Sequence, residues 1–396
     1  MSYLAPRILA TACLLLAAPL LGSSAEEKPL RTLADEQFEF ARQQYAGLVA
    51  RMDGDKTREP RTIENGKFTA VPPRDWTSGF FPGCLWLIFE HTKDVTLKTA
   101  AEEFTGRLES IKDFKEHHDV GFMLYCSYGQ GFRLTRNPAY RDVLVQGARS
   151  LSTRFDPKVG LIKSWNSNRD WKYPVIIDNM MNLELLMFAS EQTGETSFRD
   201  IATSHANKTL ANHFRPDASS FHLVSYDPET GLPEKKQTVQ GYANESAWAR
   251  GQAWGFYGFT KMYALSKDPA YLAQATKIAD FIMKHPRLPM DGIPYWDFDA
   301  PRIPDAVRDV SAGAIMCSAF LQLADLTTGE ASARYRAMGE RQLRTLCTAE
   351  FRAGLNENGN FLLMHAVGNM PKKSEVDVPL NYADYYFLEA LRLVSR

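Results

Sequence analysis

Apolar residues recur along this chain mostly at helical spacing, three or four apart. The segments fall near residues 33–53, 79–92, 95–111, 120–136, 138–154, 179–193, 196–214, 246–266, 268–284, 309–328, 331–348 and 383–395. Such a repeat puts an apolar stripe on each helix and predicts a largely helical chain. The strict alternation of a half-buried strand is scarce; only Phe221–Tyr226 and Asn360–His365 read as short hairpin pieces.

The connections come in two lengths. Thr92 to Asp94, Thr135 to Pro138, Thr193 to Thr196, Ser266 to Pro269 and Thr328 to Glu330 are tight, each with a Gly, Pro, Asn or Asp where one helix stops and the next restarts. Residues 54–78, 112–119, 155–178, 215–245, 285–308 and 349–382 are long. Alternating tight and long links describe six helical hairpins, which pack side by side into a closed double ring. All tight turns then lie at one end and all long loops at the other. Trp76, Asp119, Trp165, Asp178, His222, Gln240, Trp296 and Asp384 come from long loops or from helix starts beside them. The ring therefore gathers them on one rim, where loops on a rigid scaffold usually carry function. No Pro/Gly-rich linker divides residues 26–396, which read as a single domain.

Residues 1–25 read as a signal peptide. Arg7 supplies charge, Ile8 to Leu21 a short apolar run, and Ser23, Ser24 and Ala25 a small-residue cleavage site. The run is short and broken by Pro19, unlike a spanning helix, so the expected location is periplasmic or secreted, with no membrane span elsewhere. Cys84, Cys126, Cys317 and Cys347 lie in apolar, helix-like contexts and read as buried thiols. Lys and Arg number 46 against 47 Asp and Glu. That balance, with no basic stripe, argues against a nucleic-acid partner. No C-x-x-C or H-E-x-x-H spacing occurs, so neither a metal nor another cofactor is expected.

Asp119 follows His117 and His118 and precedes the apolar positions Phe122, Leu124 and Tyr125. An aspartate there suits an N-cap; it also suits chemistry if a second carboxylate is similarly placed. Asp178, in VIIDNMMNLELL, is so placed. Two carboxylates at one site are the minimum for acid–base work on a sugar. Trp76 in RDWTSGFF and Trp165 in SWNSNRDW are rings in polar loops, suited to stacking on a sugar or to packing. Arg250 and Trp254 are four apart and share a helical face. Arg250 can fork a sugar carboxylate or pair internally with Glu245. Thr238 and Gln240 offer hydrogen bonds. His118 and His222 fit substrate contact or a structural role equally, and Asp299 and Asp384 are secondary carboxylates.

WTSGFFPG from Trp76, HDVGF from His118, IDNMMN from Ile177, RGQAW from Arg250 and ADYYFLEA from Ala383 together resemble the unsaturated glucuronyl hydrolases of glycoside hydrolase family 88. The likeness runs from about Leu33 to the C-terminus. It implies an all-α fold, an (α/α)6 barrel of six helical hairpins, in agreement with the hairpins above. It implies release of a 4,5-unsaturated uronic acid from the non-reducing end of lyase-generated oligosaccharides, by hydration of the C4=C5 bond. The partner is then an unsaturated oligosaccharide derived from a glycosaminoglycan, ulvan or another uronate polysaccharide. By the same resemblance Asp178 is the acid/base, Asp119 its essential partner, and Trp76, Trp165, His222, Gln240, Arg250 and Trp254 contact the sugar. Some members bind sulfate through a Ser-rich, Lys-containing segment; here NMPKKSEVD from Asn369 holds Lys372, Lys373 and Ser374 in another arrangement. The alternatives are an unsaturated rhamnogalacturonyl hydrolase, with the same barrel and chemistry, and a non-catalytic sugar-binding protein, which would need neither aspartate.

Overall fold

The structure, a computed structural model, describes residues 1–3 and 28–396; the features that read as a signal peptide, Arg7 to Ala25, lie outside these. The helices are α1 (Leu30–Arg51), α2 (Phe80–Thr92), α3 (Val95–Gly106), α4 (Val120–Leu124), α5 (Gln130–Thr135), α6 (Pro138–Ser152), α7 (Leu183–Thr193), α8 (Thr196–Asn212), α9 (Ala249–Ser266), α10 (Pro269–Lys284), α11 (Val310–Asp325), α12 (Gly329–Leu346) and α13 (Asn381–Val394). A π-helical turn, Tyr125–Gly129, joins α4 to α5 as one rod, so the described residues form twelve rods.

Burial sorts the rods into two rings. In α2 every residue from Phe80 to Ile88 is buried, and in α13 every residue from Asn381 to Leu391. Helices apolar on all sides belong inside. The outer α12 instead buries one stripe, which includes Tyr335, Met338, Gly339, Gln342, Leu343 and Leu346. Inner α2, α4–α5, α7, α9, α11 and α13 alternate along the chain with outer α1, α3, α6, α8, α10 and α12. The ring closes where α13 packs on α2, α11 and α1.

The tight turns repeat one device. Lys93, Arg136, Gly194 and Lys267 end their helices in the left-handed conformation. Asp94, Asn137 and Asp268 then cap the next helix, accepting from Thr96 N, Ala139 N and Ala270 N. A left-handed stop followed at once by a side-chain cap reverses the chain in very few residues.

The long links hold the strands: β1 (Glu59–Glu64) with β2 (Lys67–Val71), β3 (Phe155–Asp156) with β4 (Leu161–Ile162), the sheet β5 (Tyr173–Ile176), β6 (Leu223–Tyr226) and β7 (Pro233–Gln237), and β8 (Ala366–Asn369) with β9 (Ser374–Val378), all antiparallel. The strand expected at 221–226 is β6. The one expected at 360–365 is absent. Asn358, Gly359 and Asn360 all have positive φ, a tight turn, and Leu362 and Leu363 give their N–H groups to Asp384 instead of to a strand. No helix among the described residues is long and apolar enough to cross a membrane, and the four cysteines are free thiols.

Candidate active site

The long loops meet at one end of the barrel because they are stitched together. His118 N donates to Ser164 O (3.1 Å) and Ser164 N to Pro174 O (2.9 Å), which ties the Asp119 loop to Trp165 and to β5. Pairing of Ile176 with Leu223 continues as Ile177 N to His222 O (2.9 Å), which sets His222 beside Asp178. Arg61 forks Glu375 at 2.6 and 2.7 Å and reaches Asp75 at 2.8 Å, joining β1 and β9 to the loop that carries Trp76.

These links surround a cavity of about 200 Å³ lined by Trp76, Asp119, Trp165, Ile176, Asp178, Val239, Gln240, Arg250, Asn369 and Lys372. Six of the residues read in the sequence as catalytic or sugar-contacting therefore share one wall, with Lys372. Four others sit behind or beside it. His118 is wholly buried behind Asp119, within 3.3 Å of it, with its other ring nitrogen 3.4 Å from Ser164 Oγ. Thr238 is not on the wall; its Oγ1 accepts from Gly241 N (2.8 Å) and shapes the turn that presents Gln240. Trp254 is fully buried among Phe122 and Tyr386, too deep to stack on a sugar face. His222 is buried beside Asp178, its Nε2 3.8 Å from Oδ2. Trp296 packs instead with Trp248 and Tyr295, and Asp299 accepts from Ala247 N.

Asp119 precedes α4 but does not cap it: its side chain accepts no helix N–H. Its oxygens face His117 at 3.0 Å and His118 at 3.3 Å instead. Burial pushes this carboxyl up, but His118, His117 and Arg154 together outweigh burial and hold it below the usual carboxylate range. Asp178 goes the other way, pushed up to about 7, by burial first and by the Asp119 charge; Arg250, a backbone amide and the Trp254 indole pull against the shift. Two carboxyls in one cavity, one ionised and one protonated near neutrality, are equipped as base or stabiliser and as acid.

His118 and His222 are held neutral. Burial lowers His118 to about 4, and burial aided by Arg250 lowers His222 to about 3. His222 Nδ1 accepts from Val239 N (3.1 Å) and Gln240 N (3.3 Å), so its proton sits on Nε2, towards Asp178. Buried Asp178 Oδ2, His222 Nε2 and Arg250 Nε have no hydrogen-bond partner within the protein. Buried polar groups are nearly always paired, so such a cluster around one cavity is suited to receive a polar ligand.

Arg250 does not pair with Glu245, which lies near Arg215 (3.5 Å). Its Nη1 donates to Asp309 (3.2 Å) and Val367 O, and its Nη2 to Gly368 O (2.6 Å). Of the five N–H donors of a guanidinium, Nε–H and one on Nη2 remain. Sequence reasoning missed Asn369, Val239, Ile176 and Asp309. Polar Asn369 stood within a stretch already noted, but nothing local marks Asp309.

Comparison with known proteins follows the same lines. The sequence matches the family described as Glycosyl Hydrolase Family 88 over residues 49–390. It is 47% identical over 324 residues to an unsaturated glucuronyl hydrolase of Formosa agariphila, covering 81% of this chain and 80% of that one. It is 34% identical over 340 residues to an unsaturated chondroitin disaccharide hydrolase of Streptococcus pyogenes serotype M1, covering 84% of each. The fold superposes on the crystal structure of an unsaturated glucuronyl hydrolase specific for heparin with a TM-score of 0.89 and 44% identity, covering 92% of this chain and 97% of that one.

Proposed function

The chain belongs to glycosyl hydrolase family 88, and from that premise we infer that it is an unsaturated glucuronyl hydrolase. It is a glycosidase that acts on an unsaturated uronic acid at the end of an oligosaccharide. The observation that carries the chemistry is the pair of carboxyls with opposed protonation, Asp119 and Asp178, in a cavity that also holds Arg250.

An unsaturated uronate has a vinyl ether between C4 and C5. Protonated Asp178 gives its proton to C4, which leaves positive charge on C5 and the ring oxygen. Ionised Asp119 stabilises that charge. Water adds at C5 and returns a proton to Asp178. The resulting hemiketal opens to a ketone at C5, and C1, now an open-chain hemiacetal, expels the aglycone alcohol. One water is consumed and the acid is regenerated. The free N–H edge of Arg250 suits the C6 carboxylate, and His222 Nε2–H suits a sugar or water oxygen.

Turnover in D₂O tests this reading. Hydration places a solvent deuteron on C4, seen by NMR of the product. Direct cleavage of the glycosidic bond leaves C4 unlabelled and the double bond initially intact, and that product would overturn the route. The substrate class proposed is lyase-generated oligosaccharide from glycosaminoglycans, ulvan or other uronate polysaccharides, with Asn369 and Lys372 on the wall that meets the aglycone. A panel of unsaturated disaccharides from these sources ranks the parents. The layout of residues 1–25 supports a periplasmic or secreted enzyme, which fractionation of the producing cells checks.

A further inference from the structure

Arg250 is almost wholly buried, and so is the carboxylate beside it. Asp309 precedes α11, and its two oxygens do separate work. Oδ1 accepts from Ser311 N (3.0 Å), Ser311 Oγ (2.6 Å) and Val367 N (3.2 Å). Oδ2 faces Arg250 Nη1 at 3.2 Å. Arg250 in turn donates to the carbonyls of Val367 and Gly368. One carboxylate thus joins three elements: the start of α11, the cation on α9, and β8, which leads to Asn369 and Lys372. The guanidinium lies over the rings of Trp248 (4.4 Å) and Tyr382 (5.6 Å), and among the described residues Asp309 is the carboxylate it pairs with.

We propose that Asp309 is a positioning residue for the reaction: it aims the free edge of Arg250 at the substrate carboxylate, anchors the β8 wall, and balances the Arg250 charge that Asp178 experiences. The proposal rests on the functional reading above. A helix cap alone needs one oxygen and no charge; Asn and Ser cap about as well as Asp. The second oxygen and the charge are what a structural role leaves unexplained. Asp178 is faced by Arg250 from α9, Asp119 from the start of α4, His222 from the end before β6, and Trp254, with Lys372 across the cavity. Against these neighbours, loss of the Asp309 charge leaves Arg250 uncompensated and makes Asp178 easier to ionise.

The test is Asp309→Asn, which keeps the cap and removes the charge, assayed on an unsaturated chondroitin disaccharide across pH. The expected result is a KM raised about tenfold and an alkaline limb of kcat/KM displaced to lower pH by roughly half a unit or more. Asp309→Glu, with the charge restored, should return the limb towards its wild-type position. If Asp309→Asn does not fold, Asp309→Ser keeps the cap and carries the same expectation. A folded, uncharged variant with wild-type KM and an unmoved limb overturns the proposal. If the wild-type protein itself leaves the double bond of every disaccharide in the panel intact, the functional reading fails instead, and the two failures are distinct.

Discussion

Asp178 and Asp384 show why a raised carboxyl does not by itself mark a catalyst. Burial pushes both to about 7. Asp384 is satisfied by Leu362 N, Leu363 N and Tyr45 OH, at 2.9, 2.9 and 3.0 Å, and stays off the cavity. Asp178 is on the cavity wall with Oδ2 unpaired. Its folded state holds a proton that the unfolded chain, near 3.8, gives up. The stability from that neutral carboxyl is complete below about pH 4 and is lost as pH rises to about 7. Asp178→Asn should therefore gain stability over the wild type as pH goes from 4 to 8, by an amount on the order of a few kcal/mol, read as a Tm difference that widens with pH. The same change should cost about 10²–10⁴ in kcat, with substrate still bound. Parallel Tm curves for the two proteins would show that the carboxyl is not held neutral. The wild-type rate should fall through about pH 7 as the acid form is lost.

At the scale of elements, the two carboxylates depend on how closely α4 meets the 3-10 turn Ile177–Asn182. Asp119 immediately precedes α4 and Asp178 lies in that turn. Gly121 permits the contact: a Cβ there would lie 2.6 Å from Asn182 Cα, and backbone cannot step aside. Asn182 Oδ1 also accepts from Phe122 N (3.1 Å), locking the pair. Gly121→Ala should cost about 1–3 kcal/mol by overpacking and lower kcat as well, since the spacing of the two acids changes. Chemical denaturation and kinetics on one preparation check both, and an unchanged kcat would mean that the spacing is not set here. Gly79 makes a similar approach, with a Cβ 2.3 Å from Phe122 O and Met123 O. This is why WTSGFFPG carries glycine at that point.

For the whole molecule, the decisive event is closure. Five tight turns hold neighbouring helices together, but the first and last helices have no link, and α13 is an inner helix. Tyr45 on α1 and the segment 361–363 meet on Asp384 of α13. Asp384→Ala would strand two N–H groups and a hydroxyl in the interior and should cost roughly 2–5 kcal/mol, counting about 1–3 for each unpaired buried group with partial relaxation. Because Asp384 is off the cavity, kcat of the folded fraction should be retained. A fall in the urea midpoint with kcat intact is the expected pair of results. Lost activity at unchanged stability would place Asp384 in the site after all.

What the sequence determined by itself was whatever rests on local period and stop signals. The twelve rods, their alternation of tight and long links, and the gathering of Trp76, Asp119, Trp165, Asp178 and Gln240 follow from apolar spacing and from loops that share one end, whereas Trp296 and Asp384, expected on the same rim, are off the cavity wall. Helix starts drifted by a few residues, and the π-turn inside the α4–α5 rod left no mark on the apolar repeat. The short strands were mostly missed because pairing between distant loops, such as Ile176 with Leu223, has no local signature. Only the tertiary structure decided which polar groups satisfy one another. Arg250 pairs with Asp309, 59 residues away, and not with nearby Glu245. Thr238 turns a loop, Trp254 lies beneath the site, and Asp119 leaves its helix uncapped. The physical reason is common to all of these: burial and electrostatic partnership are properties of neighbours in space, and the chain order lists neighbours along the backbone only.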